Sequence, residues 1–378
     1  MSPESGKARA VIHFGMDKTG SSSIRASLSK HLDDPRFHYV ILGGINNASR
    51  SLAAGFKEKP EDFPYFSNSG LSAEALQERR AEALRDLSAE LQKAAGRTAI
   101  VSAEAVANFK ESELRGLCDF IGRRGGSMTA VGYVRRPKEY MESNLQQQIK
   151  ANWQNKIVPS SLLSDYRRRF EKFDAVLGRD NVQLWLFEPG SFPGGCVVRD
   201  FCGRVGIAFR PADVVRRNDG LSLPALSLLF AYRKFGPARN PSATLVKENM
   251  LLVRRLGKLP GPKLRLHSTV VAPVIEQRRA GLAWLEARMG ASLAEDLGAD
   301  DEHAIRTEAD LLRFSPESLR WLGRQLGAGY AKHWHPRMTP QDVAAWMGVL
   351  QRRLASRVRS AHRASPAGGT RAGVRAST

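Results

Sequence analysis

Three short polar segments of the chain carry residue types that can do chemistry on anions, and each directly follows an apolar run. The first is Gly15-Met16-Asp17-Lys18-Thr19-Gly20-Ser21-Ser22-Ser23, where two glycines, a lysine and four small hydroxyl residues lead into a helical pattern. Backbone N–H groups at such a helix start, the helix dipole and the Lys18 ammonium together make a cradle for phosphate or sulfate. The second is Ser102-Ala103-Glu104, which sets a carboxylate just past an apolar run. The third is Arg135-Arg136-Pro137, followed at helical spacing by Ser143, Gln147 and Lys150. A guanidinium fork with a serine hydroxyl is a second anion site. Each segment also has an architectural reading: a tight turn with a serine cap, a carboxylate favoured at a helix start, a basic pair where a strand gives way to a helix. Taken together, two anion sites at adjacent sheet edges suit a nucleotide with phosphate at both ends of its ribose.

The elements that must position these segments follow from hydrophobic period and breakers. Apolar, β-rich runs at residues 9–15, 38–44, 98–102, 128–134 and 182–187 are expected strands. Between them, Ile24, Leu28 and Leu32 mark a helix over 21–32, and Leu76, Leu84, Leu87 and Leu91 mark one that Ser72 caps and Gly96 ends. Further helices are expected over 112–124, from Pro137 to about Lys150, and from about Ser161 to Leu177. Strands alternating with helices predict a parallel sheet covered on both faces. Ligands of such sheets bind outside the carboxyl ends of the strands, where all three polar segments fall. Beyond about residue 218 the pattern is helical, a cap or lid.

The 378 residues suffice for one large α/β domain with appended helices, or for two domains, and 42% hydrophobic with 25% charged residues is ordinary for a globular protein. No apolar run approaches the roughly 20 residues of a membrane span, and the N-terminus offers no stretch for a secretory signal. Three cysteines without close pairing argue against a disulfide framework or zinc site, so a cytoplasmic setting is expected. The formal charge of +20 predicts attraction to polyanions, including peripheral contact with anionic surfaces. Part of it is terminal, since no acidic residue follows Asp342, and residues 361–378 read as a disordered basic tail. No helix-turn-helix, zinc-finger or aromatic RNA-platform pattern points to specific nucleic-acid binding.

At the first and third segments the chain resembles the sulfotransferases that use 3′-phosphoadenosine-5′-phosphosulfate (PAPS), within their bacterial and carbohydrate-type branches. The loop is similar to that family's 5′-phosphosulfate loop. In Tyr133-Val134-Arg135-Arg136-Pro137, continued to Ser143, an Arg precedes a Pro by two and a Ser by eight, as in its 3′-phosphate motif. The resemblance spans roughly residues 9–230 and includes a segment at 216–229. It implies a P-loop-like three-layer α/β fold, with a core over 8–215 and a helical, acceptor-side region over 216–360. It also implies a metal-free enzyme that takes PAPS, releases 3′-phosphoadenosine 5′-phosphate (PAP) and sulfates a small-molecule or glycan acceptor, a carbohydrate or glycolipid. On that basis Lys18 contacts the oxygen bridging phosphate and sulfate, Thr19, Gly20, Ser21, Ser22 and Ser23 hold the 5′-phosphate, and Arg135 and Ser143 bind the 3′-phosphate. An in-line transfer also needs a base for the acceptor and a cation for the leaving phosphate. Glu104 is the candidate base and Lys18 the cation, with His13 and His38 as alternative bases. Two rivals remain. A P-loop kinase or NTPase places its lysine after the second glycine, whereas Lys18 precedes Gly20. A non-catalytic polyanion binder would draw on the charge alone.

Overall fold

The computed structural model describes residues 9–16, 18–67, 69–123, 126–151, 155–216, 220–237, 243–297 and 303–364, with backbone alone at 243 and 357–364. Asp17, residues 217–219 of the third resemblance segment and residues 365–378 of the expected tail lie outside the described residues; the last helix, Pro340–Ala364, includes the first residues of that tail.

Five strands, β1 (Arg9–His13), β2 (Phe37–Tyr39), β3 (Thr98–Ser102), β4 (Met128–Val134) and β5 (Val182–Leu186), form one parallel sheet in the order β2-β3-β1-β4-β5. The interleaved helices are α1 (Ser21–His31), α2 (Ser49–Phe56), α3 (Ala73–Lys93), α4 (Glu111–Gly122), α5 (Pro137–Ala151), α6 (Tyr166–Leu177) and α7 (Val197–Val205). The fold is thus α/β with helices flanking a central parallel sheet. Ala99, Ile100 and Val101 of β3 are fully buried, which is why the strands read as continuous apolar runs rather than alternating ones. One face packs Ile24, Leu28, Tyr133, Trp185 and Phe201 together; elsewhere Phe14 stacks on Phe173 with ring centroids 3.9 Å apart. Each such side chain contributes about 1.5–3 kcal/mol through burial.

Caps set the helix starts. Ser72 Oγ accepts from Ala75 N at the head of α3, as its sequence predicts. The helix expected from Ser161 begins at Tyr166 instead, because Asp165 accepts from Arg168 N and caps it there, leaving residues 159–161 as a separate 3₁₀ turn. The second strand is shorter than its apolar run: only Phe37, His38 and Tyr39 pair with β3, and Gly43 and Gly44, both at positive φ, carry the chain away.

The chain divides into two compact units. The first comprises residues 1–148, 157–220 and 264–307 and contains the whole sheet. Its helix over Arg279–Met289 is fixed to α6 by Arg288, which pairs with Asp174 through Nε at 2.6 Å and Nη2 at 2.8 Å. The second unit comprises residues 149–156, 221–263 and 308–378. At its centre lies the helix Leu223–Phe235, capped by Ser222 and buried from Ala225 through Tyr232; Tyr232 donates to Gln351 of the helix Pro340–Ala364. No described strand follows β5.

Candidate functional site

The strand order puts β1 between β3 and β4, so the segments leaving these three strands emerge side by side at their carboxyl ends. All three polar segments are there, within the first unit.

After His13 the chain stays beside β4, with Phe14 N donating to Val131 O at 3.0 Å and Met16 N to Tyr133 O at 3.2 Å. It then coils into a tight loop in which Gly15 (φ 22°), Lys18 (φ 64°) and Gly20 (φ 77°) are left-handed, a conformation that is costly for a lysine. Thr19 is fully buried and its Oγ1 donates to Met16 O at 2.7 Å, closing the loop on itself. Gly20 is required for space as well as for φ, since a Cβ there would lie 2.5 Å from Val197 Cγ1 of α7. A Cβ on Gly15 would meet Thr19 Oγ1 at 3.2 Å and His13 Nε2 and Ser21 Oγ at 3.4 Å, so three polar groups crowd that glycine. Ser21, Ser22 and Ser23 form the first turn of α1, whose early N–H groups have no helical carbonyl to take them; Ser23 N turns back to Gly20 O.

Arg135 leaves β4 against this loop. Its N–H donates to Met16 Sδ at 3.5 Å and its Nη1 to the carbonyl oxygen of Lys18 at 3.2 Å. The same guanidinium reaches Glu139 Oε2 from Nε (3.4 Å) and Nη2 (3.2 Å) and lies 5.1 Å from the centre of the Phe187 ring. Tyr166 steadies the backbone by donating to Arg135 O at 3.0 Å. Ser143, half-buried, follows Glu139 by four residues on one face of α5. Arg136 is turned to Glu188, 2.8 Å away, and Lys150 belongs to the second unit.

Glu104 opens a 3₁₀ turn directly after β3. Its Oε1 lies 3.3 Å from Nη1 of Arg25, a residue only 6% exposed, whose Nη2 donates to Ser22 Oγ at 3.2 Å. The carboxylate is therefore tied to the first turn of α1. The two histidines are placed differently. His13 is buried with Nδ1 2.9 Å from Ser102 Oγ, and burial, assisted by the Arg25 charge, lowers its pKa to about 3, so the ring is neutral. His38 Nε2 is engaged by Glu90 Oε2 of α3 at 3.0 Å. Glu104 reaches the loop region through Arg25 and Ser22, His13 Nε2 faces Gly15 of the loop with no hydrogen-bond partner of its own, and His38 is engaged by α3.

The contact from Arg135 to Lys18 and the chain from Glu104 through Arg25 to Ser22 bring the three segments into one site. Arg25, Glu139 and Phe187 had no place in the sequence reading. The one local signal for Arg25 is its position three residues after Ser22, in the first turns of the helix that follows the loop.

Among the described residues, no group of three or more His, Cys, Asp and Glu side chains is placed to hold a metal ion, and no helix is long and apolar enough to cross a membrane. No protein-family model matches the chain, and no curated protein matches it in sequence. Among solved structures, it is similar to a sulfotransferase from Alicyclobacillus acidocaldarius, at 14% identity and TM-score 0.39, over 75% of this chain and 96% of that one. It is similar also to the sulfotransferase domain of the Synechococcus PCC 7002 olefin synthase, at 12% identity and TM-score 0.35, over 73% of this chain and 96% of that one. A third similar structure is the sulfotransferase domain from the curacin biosynthetic pathway, at 12% identity and TM-score 0.37, over 72% of this chain and 97% of that one.

Proposed function

We propose that this chain is a sulfotransferase that takes a sulfuryl group from PAPS and passes it to a hydroxyl or amine of an acceptor, with a carbohydrate or glycolipid the class to which the sequence resemblance points. The observation that carries the reading is the hydrogen bond from Arg135 Nη1 to Lys18 O, because it makes the ammonium-bearing loop and the guanidinium neighbours on one rim. A nucleotide with anionic groups at both ends of its ribose needs two such cations within its reach. The loop suits the phosphate end: Gly15 keeps a side chain out of the space among Thr19 Oγ1, His13 Nε2 and Ser21 Oγ, Gly20 lets the loop pack on Val197 of α7, and the first turn of α1 supplies N–H donors.

When bound, PAPS would supply a sulfuryl group on an anhydride whose departure leaves added negative charge on the 5′-phosphate. In this reading Lys18 neutralises that charge, while Thr19, Gly20, Ser21, Ser22 and Ser23 hold the phosphate through backbone and hydroxyl groups. Arg135 and Ser143 hold the 3′-phosphate, and the acceptor's proton passes to the Glu104 carboxylate.

Thermal denaturation with PAP, with ATP and magnesium, and with an oligonucleotide tests this reading. PAP alone is expected to protect, by about 2.7 kcal/mol at a hundred times its dissociation constant. Protection by ATP and magnesium with PAP silent would replace the reading by a kinase or NTPase. Protection by the oligonucleotide alone would replace it by a polyanion binder. Sulfate transfer from labelled PAPS into a cell extract then identifies the acceptor.

A further inference from the structure

We infer that Arg25 is a positioning residue of this site, holding Glu104 against the anion loop and carrying one positive charge that the carboxylate and the loop's bound anion share. The inference rests on the sulfotransferase reading and adds a residue outside both sequence motifs.

An arginine is almost never found buried unless its charge is paired. Arg25 is 6% exposed, and what it faces is specific. Ser22 and Arg25 are three apart on α1 and so share a face, and Nη2 donates to Ser22 Oγ at 3.2 Å. Nη1 lies 3.3 Å from Glu104 Oε1 without the alignment of a hydrogen bond, so this buried donor has no hydrogen-bond partner. The guanidinium is held between the first turn behind the loop and the candidate base, with donor capacity left over.

Two titratable neighbours of Arg25 carry no charge of their own. His13 is neutral, and burial raises the Tyr39 hydroxyl well above its ordinary pKa, although Arg25 and Glu104 both act on it electrostatically. Before transfer, then, Arg25 and Glu104 balance each other. Once Glu104 holds the acceptor's proton, the guanidinium loses its counter-charge and is one hydrogen bond from Ser22, where the loop anion is gaining charge. The same cation serves the base first and the leaving phosphate second. A merely structural Arg25 would support folding but would not pass the charge of Glu104 on to a nucleotide.

PAP titrations by calorimetry, which need no acceptor, read this coupling in the wild-type chain and in Glu104→Gln, Arg25→Met and the double variant, with each fold checked by circular dichroism. Glu104→Gln frees the guanidinium and is expected to tighten PAP about 3- to 10-fold. Arg25→Met is expected to weaken PAP about 10-fold and to abolish the gain from Glu104→Gln, whereas Arg25→Lys, which keeps the charge, restores part of it. Unchanged or weaker PAP binding in Glu104→Gln overturns the inference, as does the same gain in both Arg25 backgrounds. If Arg25→Met does not fold, Arg25→Lys supplies the second background, in which the gain from Glu104→Gln is expected to be smaller than in the wild-type chain and an undiminished gain overturns the inference. Failure of the wild-type chain to bind PAP at millimolar concentration would instead remove the sulfotransferase reading, and this inference with it.

Discussion

Replacing Arg135 by methionine separates a 3′-phosphate ligand from a residue that merely braces the loop. In the free protein the guanidinium donates to Lys18 O at 3.2 Å and to Glu139 at 3.2 and 3.4 Å, all longer than the 2.7–2.9 Å usual for charge-assisted bonds. It is aimed but loosely engaged, and its side chain is 19% exposed. A charged hydrogen bond to a phosphate is worth about 1.5–3 kcal/mol. Against this, releasing the partly exposed pair with Glu139 costs about 0.2–1 kcal/mol. The net is roughly 0.5–2.8 kcal/mol, so Arg135→Met should weaken PAP about 2- to 100-fold. Methionine keeps apolar contact with Phe187. Adenosine 5′-phosphosulfate, which has no 3′-phosphate, is the control and should be weakened less than PAP, by under about 2-fold. Calorimetry at fixed ionic strength makes the comparison, because a chain of charge +20 attracts any nucleotide at low salt. Glu139→Gln, which removes the competitor, should tighten PAP by up to about 5-fold. Equal losses for both nucleotides in Arg135→Met would mean that the arginine only braces the Lys18 carbonyl, and would refute its assignment to the 3′-phosphate.

Two further perturbations test the loop and its surroundings. Gly20→Ala adds a Cβ 2.5 Å from Val197 Cγ1 at a φ of 77°; overpacking and left-handed strain together should destabilise the first unit by about 2–4 kcal/mol and weaken PAP, and an unshifted melting curve would show that the loop relaxes freely. Glu295 accepts from Lys138 N at 2.6 Å and Glu139 N at 3.3 Å at the head of α5, yet desolvation pushes its carboxyl up to about 7. Between the unfolded-state value and about 7 the folded chain therefore binds more protons than the unfolded one, and Glu295 makes stability fall as pH rises through that window, by an order of 1–3 kcal/mol. Glu295→Gln should flatten that fall in denaturant titrations at pH 5 and 7; an unchanged slope would contradict the raised value.

How much of this was legible in the sequence depends on the distance over which each feature is decided. The strands were readable because a parallel strand buried on both faces is a continuous apolar run, and β3 and β4 begin and end where their runs do. The helix Ser49–Phe56 was not, since its alanines and Gly55 sit in a stretch rich in glycine, asparagine and proline, and its apolar face is defined by packing on α3. The tight loop at residues 15–20 before α1 was readable because the glycines and hydroxyl residues that turn a chain into a helix act locally. Arg25 was hidden because its partner comes from another strand's end, and a charged residue beside Ile24 reads as an exposed helix position until the carboxylate that neutralises it is known.

Topology explains why three segments picked out locally leave the sheet on one rim. Neighbouring strands are about 4.8 Å apart, so residues leaving β3 and β4 on either side of β1 start about 10 Å from each other. A long side chain closes that gap, and arginines do so on both sides: Arg135 reaches from the β4 end to Lys18 O, while Arg25, from the helix after β1, reaches Glu104 at the β3 end. Charges written into three separate segments are thus obliged to meet by the strand order alone. What strand order does not dictate is which cation serves which anion. That allocation is fixed by Ser22, Glu104 and Glu139, and these are the residues whose substitution most directly redistributes the site's charge.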